Sequence, residues 1–233
     1  MELSKRLQAV ADLVGENRTE ADVGTDHGYI PIYLIETGKC KKVLAMDVNE
    51  GPLLRAKEHI EEHGFAEQIE TKQSDGVQKL QVGECDCVVI AGMGGALTVK
   101  ILREGEEIFR NLKEFVLQPQ SELSKVRAYL NSQGYCVVAE DMVCEDGKYY
   151  PMMKVICGQE EAYNIIELRY GRLLLRNRNE TLKEFLKKEQ NIKQLILRNL
   201  EGESGNHIQV RKEELKKELE EIAYALQRYY LCD

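Results

Sequence analysis

No apolar run in these 233 residues approaches the roughly 20 residues that a membrane-spanning helix needs. No apolar signal region follows the charged residues 1–6, and the seven cysteines show no C-x-x-C spacing. Scattered cysteines in an odd number are typical of reduced thiols in the cytosol. These absences argue against an integral membrane protein and against a secreted, disulfide-stabilised domain. We therefore expect a soluble, cytoplasmic protein.

An excess of positive charge is also missing, which argues against a general nucleic-acid binder. The net charge is −8, and all of it lies in residues 1–158, whereas residues 159–233 are neutral. Within the second part, residues 169–198 contain nine Lys and Arg but only three Glu. This basic strip has two interpretations: a solvated helix face, or a surface that contacts the phosphates of RNA.

Strand and helix patterns alternate over the first two thirds of the chain. Five strand–helix units precede two apolar strands, near residues 135–143 and 149–157, and a turn signal at residues 145–148 joins these into a hairpin. Such alternation predicts a parallel, doubly wound sheet with right-handed crossovers. The closing hairpin is similar to that of the seven-stranded class I methyltransferase sheet. We therefore predict an α/β, Rossmann-like domain at residues 1–158.

From residue 159 onward no strand pattern remains. Residues 162–176 and 180–200 are predicted helices, and the last helix repeats apolar residues at alternating spacings of four and three. The sequence thus predicts a helical, coiled-coil-like domain at residues 159–233. The domain either contacts the substrate or serves as a stabilising appendage or dimer interface. No feature calls for an obligate protein partner.

Polar clusters follow four of the predicted strands, at residues 22–28, 47–49, 74–76 and 91–95. Ligands of parallel sheets bind beyond the carboxyl ends of the strands, so we expect one site at this edge. The first cluster is a glycine loop before a helix that begins near Pro31, and we expect its backbone N–H groups to face a ligand. The candidate binding residues are Asp22, Gly24, Thr25, Asp26, His27, Gly28, Asp47, Val48, Asn49, Asp75, Gly76, Ala91, Gly92, Met93 and Gly94.

Two cofactors use such an edge: a dinucleotide, or S-adenosylmethionine (SAM). Residues 24–29 lack the G-x-G-x-x-G pattern of dinucleotide loops. Asp22 would repel a pyrophosphate, but it suits the ammonium group of SAM. Asp47 is placed for the ribose hydroxyls of either cofactor, and Asp75 for the adenine amino group. SAM is therefore favoured, with ordinary helix capping as the alternative role of each carboxylate.

Four motifs together resemble the bacterial TrmK family, whose members use SAM to methylate N1 of adenine 22 in tRNA. The motifs are LSKRL at residues 3–7, ADVGTDHGY at 21–29, SDG at 74–76 and AGMGG at 91–95. The resemblance covers the whole chain, because that family also has a C-terminal helical domain. In that domain the chain shares the helical, coiled-coil-like character of the family but no specific sequence motif. The resemblance implies a tRNA substrate and a supporting role for Arg6 near the pocket. It also implies cofactor-binding and catalytic roles for Asp22, Gly24, Asp26, Asp47 and Asp75.

The chemistry of N1 methylation gives Asp26 a role. Adenine N1 has its own lone pair and attacks a methyl donor without strong base catalysis, while positive charge spreads over the ring. A carboxylate beside the methyl donor stabilises that charge or accepts the amine proton. Asp26 is at the loop position expected nearest to the sulfonium, so it is the predicted catalytic carboxylate. Residues 91–95 lack the Asn/Asp-Pro-Pro-aromatic motif of enzymes that methylate the exocyclic amine, which disfavours that reaction.

Two other functions are compatible with the same residues: a SAM-dependent small-molecule methyltransferase, and a non-catalytic protein that binds SAM or RNA. The sequence HIEEH at residues 59–63 matches the H-x-x-E-H pattern of zinc peptidases. It lies, however, on a predicted crossover helix away from the ligand edge and has no evident third ligand. We expect no metal site.

Overall fold

The computed structural model describes residues 1–231 of the chain. It contains two compact units, Met1–Tyr163 and Asn164–Asp233. The first unit extends past residue 158, where the sequence predicted a boundary, because the following segment is bonded to the sheet domain. The Glu160 carboxylate accepts from the Val137 N–H at 3.3 Å, and the Glu161 carbonyl accepts from the Asn131 side chain at 3.3 Å.

Seven strands form the centre of the first unit. They are β1 (Arg18–Val23), β2 (Cys40–Asp47), β3 (Ile69–Gln73), β4 (Cys87–Ala91), β5 (Glu114–Gln118), β6 (Tyr135–Glu145) and β7 (Lys148–Cys157). Their order in the sheet is β3-β2-β1-β4-β5-β7-β6. The first five strands are parallel, whereas β7 is antiparallel to both β5 and β6. This confirms the predicted seven-stranded, Rossmann-like sheet with a closing hairpin.

Six helices cover this sheet. They are α1 (Lys5–Leu13), α2 (Tyr29–Glu36), α3 (Glu50–Glu62), α4 (Gly95–Glu104), α5 (Glu106–Asn111) and α6 (Leu123–Ser132). Between β4 and β5 the chain forms two helices, α4 and α5, which separate at Gly105. A Cβ atom at Gly105 would overlap the Val77 side chain, so only glycine permits this close approach.

The prediction of five strand–helix units was wrong at β3, because turns rather than a helix connect β3 to β4. The Ser74 hydroxyl donates to the Gly76 carbonyl at 3.0 Å and accepts from the Lys79 N–H at 3.1 Å. Such local bonds from a serine side chain compete with helical hydrogen bonding. The helix α2 also begins two residues before Pro31, at Tyr29, because Gly28 adopts the left-handed conformation at its start.

The central strand β1 contains an unusual buried carboxyl group. Glu20 is fully buried, and no side chain among the described residues donates a hydrogen bond to its carboxylate. Burial raises the pKa of Glu20 well above its ordinary value, and the nearby Asp22 carboxylate raises it further. The buried Cys40, Cys85 and Cys87 thiols also have raised pKa values, mainly because of their own burial.

All regular secondary structure in the described part of the second unit, up to residue 231, is helical. It contains α7 (Ile165–Tyr170), α8 (Arg172–Arg176), α9 (Glu180–Asn199), α10 (Asn206–Leu226) and a π-helical turn at Gln227–Leu231. The helix predicted over residues 162–176 begins after Asn164, which forms a capping box with Glu167, and it is interrupted at Gly171. The long helices α9 and α10 pack on each other and bury Leu186 and Ile222. Among residues 1–231, no helix has both the length and the apolar character that crossing a membrane requires.

We expect the free energy of unfolding to decrease less steeply with rising pH in Glu20→Gln than in the wild type. Because the pKa of Glu20 is higher in the folded than in the unfolded chain, the stability that it contributes is complete below pH 4.5 and is lost at higher pH. The slope from one such group reaches about 1.4 kcal/mol per pH unit. Urea unfolding at several pH values from 5 to 9 measures this slope of the free energy of unfolding against pH. Glu70→Gln, at an exposed strand carboxylate, is the control; equal slopes in wild type and Glu20→Gln would contradict the expectation.

Candidate active site

The loop after β1 is held against the neighbouring strand β2. The N–H groups of Gly24 and Thr25 both donate to the Met46 carbonyl at 2.8 Å. These two N–H groups therefore do not face a ligand, contrary to the prediction. Gly24 has a φ of +83°, a backbone conformation that favours glycine, and the end of the Met93 side chain packs against it.

A cavity of about 330 Å³ lies beside this loop. Six predicted site residues line it, namely Arg6, Asp22, Gly24, Asp26, Ala91 and Gly92. Four residues that the sequence analysis did not select complete the lining: Leu7, Tyr29, Ile30 and Gln120. Contributions thus come from α1, from the ends of β1 and β4, from the start of α2 and from the segment after β5. The ends of strands that are distant in sequence converge on one small space.

Asp22 is the buried carboxylate of this cavity. Only 6% of the residue is exposed, and burial raises the pKa of Asp22 to about 6. The Thr25 hydroxyl group opposes this shift, while the Asp47 carboxylate contributes to it. A carboxylate in such a place has a strong preference for a cationic partner, because the partner replaces the water that burial has removed.

Asp26 has a different environment from Asp22. Its side chain is 63% exposed, and its Oδ1 atom accepts from Arg55 Nη2 at 3.0 Å and lies 3.5 Å from His27 Nε2. No hydrogen bond or ion pair of Asp26 Oδ2 is seen with any residue from 1 to 231. Arg55, from α3, therefore holds one oxygen of a carboxylate that lines the cavity.

Arg6 reaches the same cavity from the first helix. The Glu145 carboxylate accepts from the N–H groups of Lys5 at 2.7 Å and of Arg6 at 3.4 Å, which fixes the start of α1. The Arg6 guanidinium donates to Gln118 Oε1 at 3.1 Å and lies 5.7 Å from the centre of the Tyr150 ring. A positive group thus lines the same cavity as Asp22 and Asp26.

The remaining candidates after β2 and β3 lie at the same sheet edge but do not line this cavity. Asp47 ends β2, and its Oδ1 accepts from the Asn49 N–H at 2.7 Å, next to the exposed Val48. Asp75 follows β3, and its Oδ2 lies 3.8 Å from Lys100 Nζ. The neighbouring Gly76 has a φ of +56° and packs against the side chain of Ile101.

The other candidates from the two glycine loops do not line the cavity but lie next to residues that do. Thr25 is buried, Gly28 begins α2 with a φ of +67°, and the Met93 side chain packs over Gly24. The Gly94 carbonyl accepts from the Thr98 hydroxyl at 3.1 Å and so begins α4. His27 belongs to a group of packed rings beside Asp26.

The sequence contained a signal for some of the residues that were missed. Gln118 ends β5 and Gln120 follows it directly, so the strand-end rule that selected the other clusters applies here as well. The buried Gln118 side chain accepts from Arg6 and from the Gly92 N–H at 3.2 Å. By contrast, the sequence contained no signal for Arg55, which is 29 residues from Asp26 and contacts it only through folding.

Histidine side chains on α3 form contacts other than metal ligation. His59 Nδ1 lies 3.1 Å from the His27 carbonyl oxygen, and His63 Nδ1 lies 2.8 Å from the His59 carbonyl oxygen. Among residues 1–231, no group of three or more His, Cys, Asp or Glu side chains is arranged to hold a metal ion.

The basic strip of residues 169–198 is partly neutralised within the second unit. Arg169 pairs with Glu221, the buried Arg172 pairs with Glu167 at 3.0 Å, and Lys193 pairs with Glu189 and Glu218 at 2.9 Å each. Arg176 and Lys187, by contrast, are exposed. Several bases that were counted as one strip therefore stabilise the helical packing instead of forming a continuous charged surface.

Known proteins with a similar sequence share this architecture. Residues 3–153 match a family model described as a methyltransferase domain. A tRNA (adenine(22)-N(1))-methyltransferase of Bacillus subtilis (strain 168) is 35% identical over 175 residues, which span 75% of this chain and 74% of that protein. The chain belongs to this methyltransferase family, the TrmK family. This confirms the resemblance inferred from the four motifs.

Solved structures of TrmK-like proteins agree with this membership over nearly the whole chain. A Streptococcus pneumoniae protein solved in complex with S-adenosyl-L-methionine has a TM-score of 0.86 at 30% identity, over 97% of this chain and 100% of that one. TrmK of M. capricolum, solved with S-adenosyl-homocysteine, has a TM-score of 0.84 at 26% identity, over 98% and 100%. The helical second unit is therefore part of the shared architecture.

Proposed function

We propose that this TrmK-family chain transfers a methyl group from SAM to N1 of adenine 22 in tRNA. The observation that carries the proposal is the cavity at the carboxyl edge of the sheet, which combines the buried Asp22, the exposed Asp26 and two glycines in a chain of this family. Because its substrate is tRNA, the protein acts in the cytoplasm.

The residues of the cavity fit SAM. When bound, SAM supplies a methyl group on a positively charged sulfur. Asp22 is buried without a cationic partner among the described residues, so it binds the ammonium group of the cofactor's methionine part. Gly24 and Gly92, with φ of +83° and +80°, let the backbone approach the cofactor. Asp47 keeps one carboxylate oxygen for the ribose hydroxyls, and Asp75 accepts from the adenine amino group.

The arrangement around Asp26 favours stabilisation of charge over acceptance of a proton. Arg55 donates to Asp26 Oδ1, so part of the carboxylate's charge is already compensated and its orientation is fixed. Oδ2 then faces positive charge as it develops on the adenine during methyl transfer. Adenine N1 lies on the Watson–Crick edge, so the base must leave any pairing and stacking before it enters this cavity.

The helical second unit supplies the contact with the tRNA backbone in this proposal. Arg176 and Lys187 are two exposed bases of the strip that we assign to phosphates, and Arg176 has a 3.6 Å pairing to Glu167. Neutralising phosphates with such groups makes binding depend steeply on salt. Three other bases of the strip, Arg169, Arg172 and Lys193, pair instead with glutamates of the second unit.

We expect Asp26→Asn to lower kcat for tRNA methylation by about a hundredfold, as the loss of a charge-stabilising group typically does. The dissociation constant for SAM changes by less than about twofold, because Asn keeps the shape of the side chain. Mass spectrometry of tRNA nucleosides after incubation with SAM measures 1-methyladenosine directly. Asp12→Asn, at an exposed position on α1, is the matched control. Wild-type protein that binds SAM but yields no 1-methyladenosine would overturn the proposed function.

SAM binding is expected to weaken as the pH falls through about 6, the raised pKa of Asp22. Only the ionised carboxylate attracts the ammonium group, so the affinity for SAM falls about tenfold between pH 7 and pH 5. Isothermal titration calorimetry across this range measures the change. Asp22→Asn binds SAM more weakly at pH 7 and loses this pH dependence. An affinity that is independent of pH in the wild type would exclude this role for Asp22.

The double variant Arg176→Gln, Lys187→Gln should bind tRNA more weakly and with less dependence on salt. Each phosphate contact contributes about 0.7–0.9 to the slope of log K against log salt, so losing two lowers the slope by about 1.5. Filter binding at several salt concentrations gives both slopes. Arg211→Gln, Lys216→Gln removes two exposed bases of α10 outside the strip and serves as the control. Equal slopes in the two double variants would refute a specific role for the strip.

A further inference from the structure

Three aromatic rings pack together beside the cavity. The rings of His27 and Tyr29 are stacked, with centroids 5.3 Å apart and planes 14° apart. The His59 ring, from α3, lies 5.2 Å from the His27 ring and 5.7 Å from the Tyr29 ring. His27 and Tyr29 are two residues apart, whereas His59 comes from α3, so its contacts with both rings are a product of the tertiary fold.

The ring cluster His27–Tyr29–His59 adjoins the proposed catalytic carboxylate. His27 Nε2 lies 3.5 Å from Asp26 Oδ1, and Tyr29 lines the same cavity as Asp26 with 37% of the residue exposed. His27 has a φ of +60°, a conformation that costs energy in residues other than glycine and that is concentrated at functional sites. The His59 side chain also contacts the His27 carbonyl oxygen at 3.1 Å, which fixes the strained segment.

We propose that the Tyr29 ring stacks on the target adenine, and that His27 and His59 are positioning residues that hold this ring. The inference rests on the proposed function and adds a substrate-contacting residue to it. A base that leaves its stack loses its neighbours in the RNA, and stacking on an aromatic side chain replaces them. Of the three cluster residues, Tyr29 is the one that lines the cavity.

The same contact favours the reaction as well as binding. Methylation at N1 turns neutral adenine into a cation, and the face of an aromatic ring attracts a cation. Tyr29 and Asp26 therefore act on the same developing charge, Tyr29 through the face of the base and Asp26 through its polar edge. Both contacts strengthen as the methyl group is transferred, which is the condition for raising the rate.

The test compares Tyr29→Leu with Tyr29→Phe and Tyr29→Trp. Loss of the ring in Tyr29→Leu lowers kcat/KM for tRNA by about 10–100-fold while the dissociation constant for SAM stays within about twofold. The Phe and Trp variants keep the ring and most of the activity. Leu54→Ala, at an exposed side chain of α3 outside the cavity lining, is the control.

A second measurement detects stacking on the target base directly, independently of catalytic activity. With 2-aminopurine in place of the target adenine, stacking on Tyr29 quenches the fluorescence of the bound RNA, so the Tyr29→Leu complex is brighter than the wild-type complex. His59→Ala weakens this quenching, and His59→Phe, which keeps a ring in contact with Tyr29, restores it. A merely structural role for His59 would leave the quenching unchanged.

The outcomes separate this inference from the proposed function. Wild-type protein that makes no 1-methyladenosine removes the proposed function itself. If the wild type methylates tRNA and Tyr29→Leu is unimpaired, only the stacking contact is overturned. The stacking contact is also overturned if Tyr29→Leu loses as much affinity for SAM as it loses activity, because Tyr29 would then contact the cofactor. If Tyr29→Leu does not fold, the Trp variant decides, because a folded but inactive Tyr29→Trp contradicts a requirement for a stacking ring.

Discussion

Parallel pairing of β1 with both β2 and β4 is the constraint on which the site depends. The register places Val23 opposite Met46 and Ile90, so the carboxyl ends of three strands lie level at one edge. Bonds from the Gly24 and Thr25 N–H groups to Met46 continue this pairing into the loop. The start of the loop is therefore an extension of the sheet, and its backbone is held by hydrogen bonds as in a strand.

Two carboxylates near this edge have opposite environments, and their chemistry differs accordingly. Asp22 is enclosed by the sheet, so burial raises its pKa and makes a cationic partner favourable. Asp26 is exposed and partly compensated by Arg55, so it remains available for charge that develops during a reaction. One strand end and the loop that follows it thus bring one buried and one exposed carboxylate to the same cavity. Glu20, two residues before Asp22 on β1, is also buried, and its raised pKa favours the neutral carboxyl group.

The sequence by itself determined the fold class and the edge at which the site lies. Both follow from short-range patterns: alternating strand and helix periodicities require a parallel sheet, and residues at strand ends must meet at its carboxyl edge. This rule selected Asp22, Asp26 and Gly92, which do line one cavity. It would also have selected Gln120, whose position after β5 is equally visible in the sequence.

Only the tertiary structure decided which side chains act together. Arg55 meets Asp26 and His59 meets His27 across about thirty residues of chain, and no local pattern encodes such contacts. Val77 packs against Gly105 and leaves no room for a side chain there, and glutamates of α10 such as Glu218 reduce the charge of the basic strip. Periodicity and composition indicate which secondary structure each segment favours. Packing between segments sets distances and burial, and these determine which charges are compensated and which face a substrate.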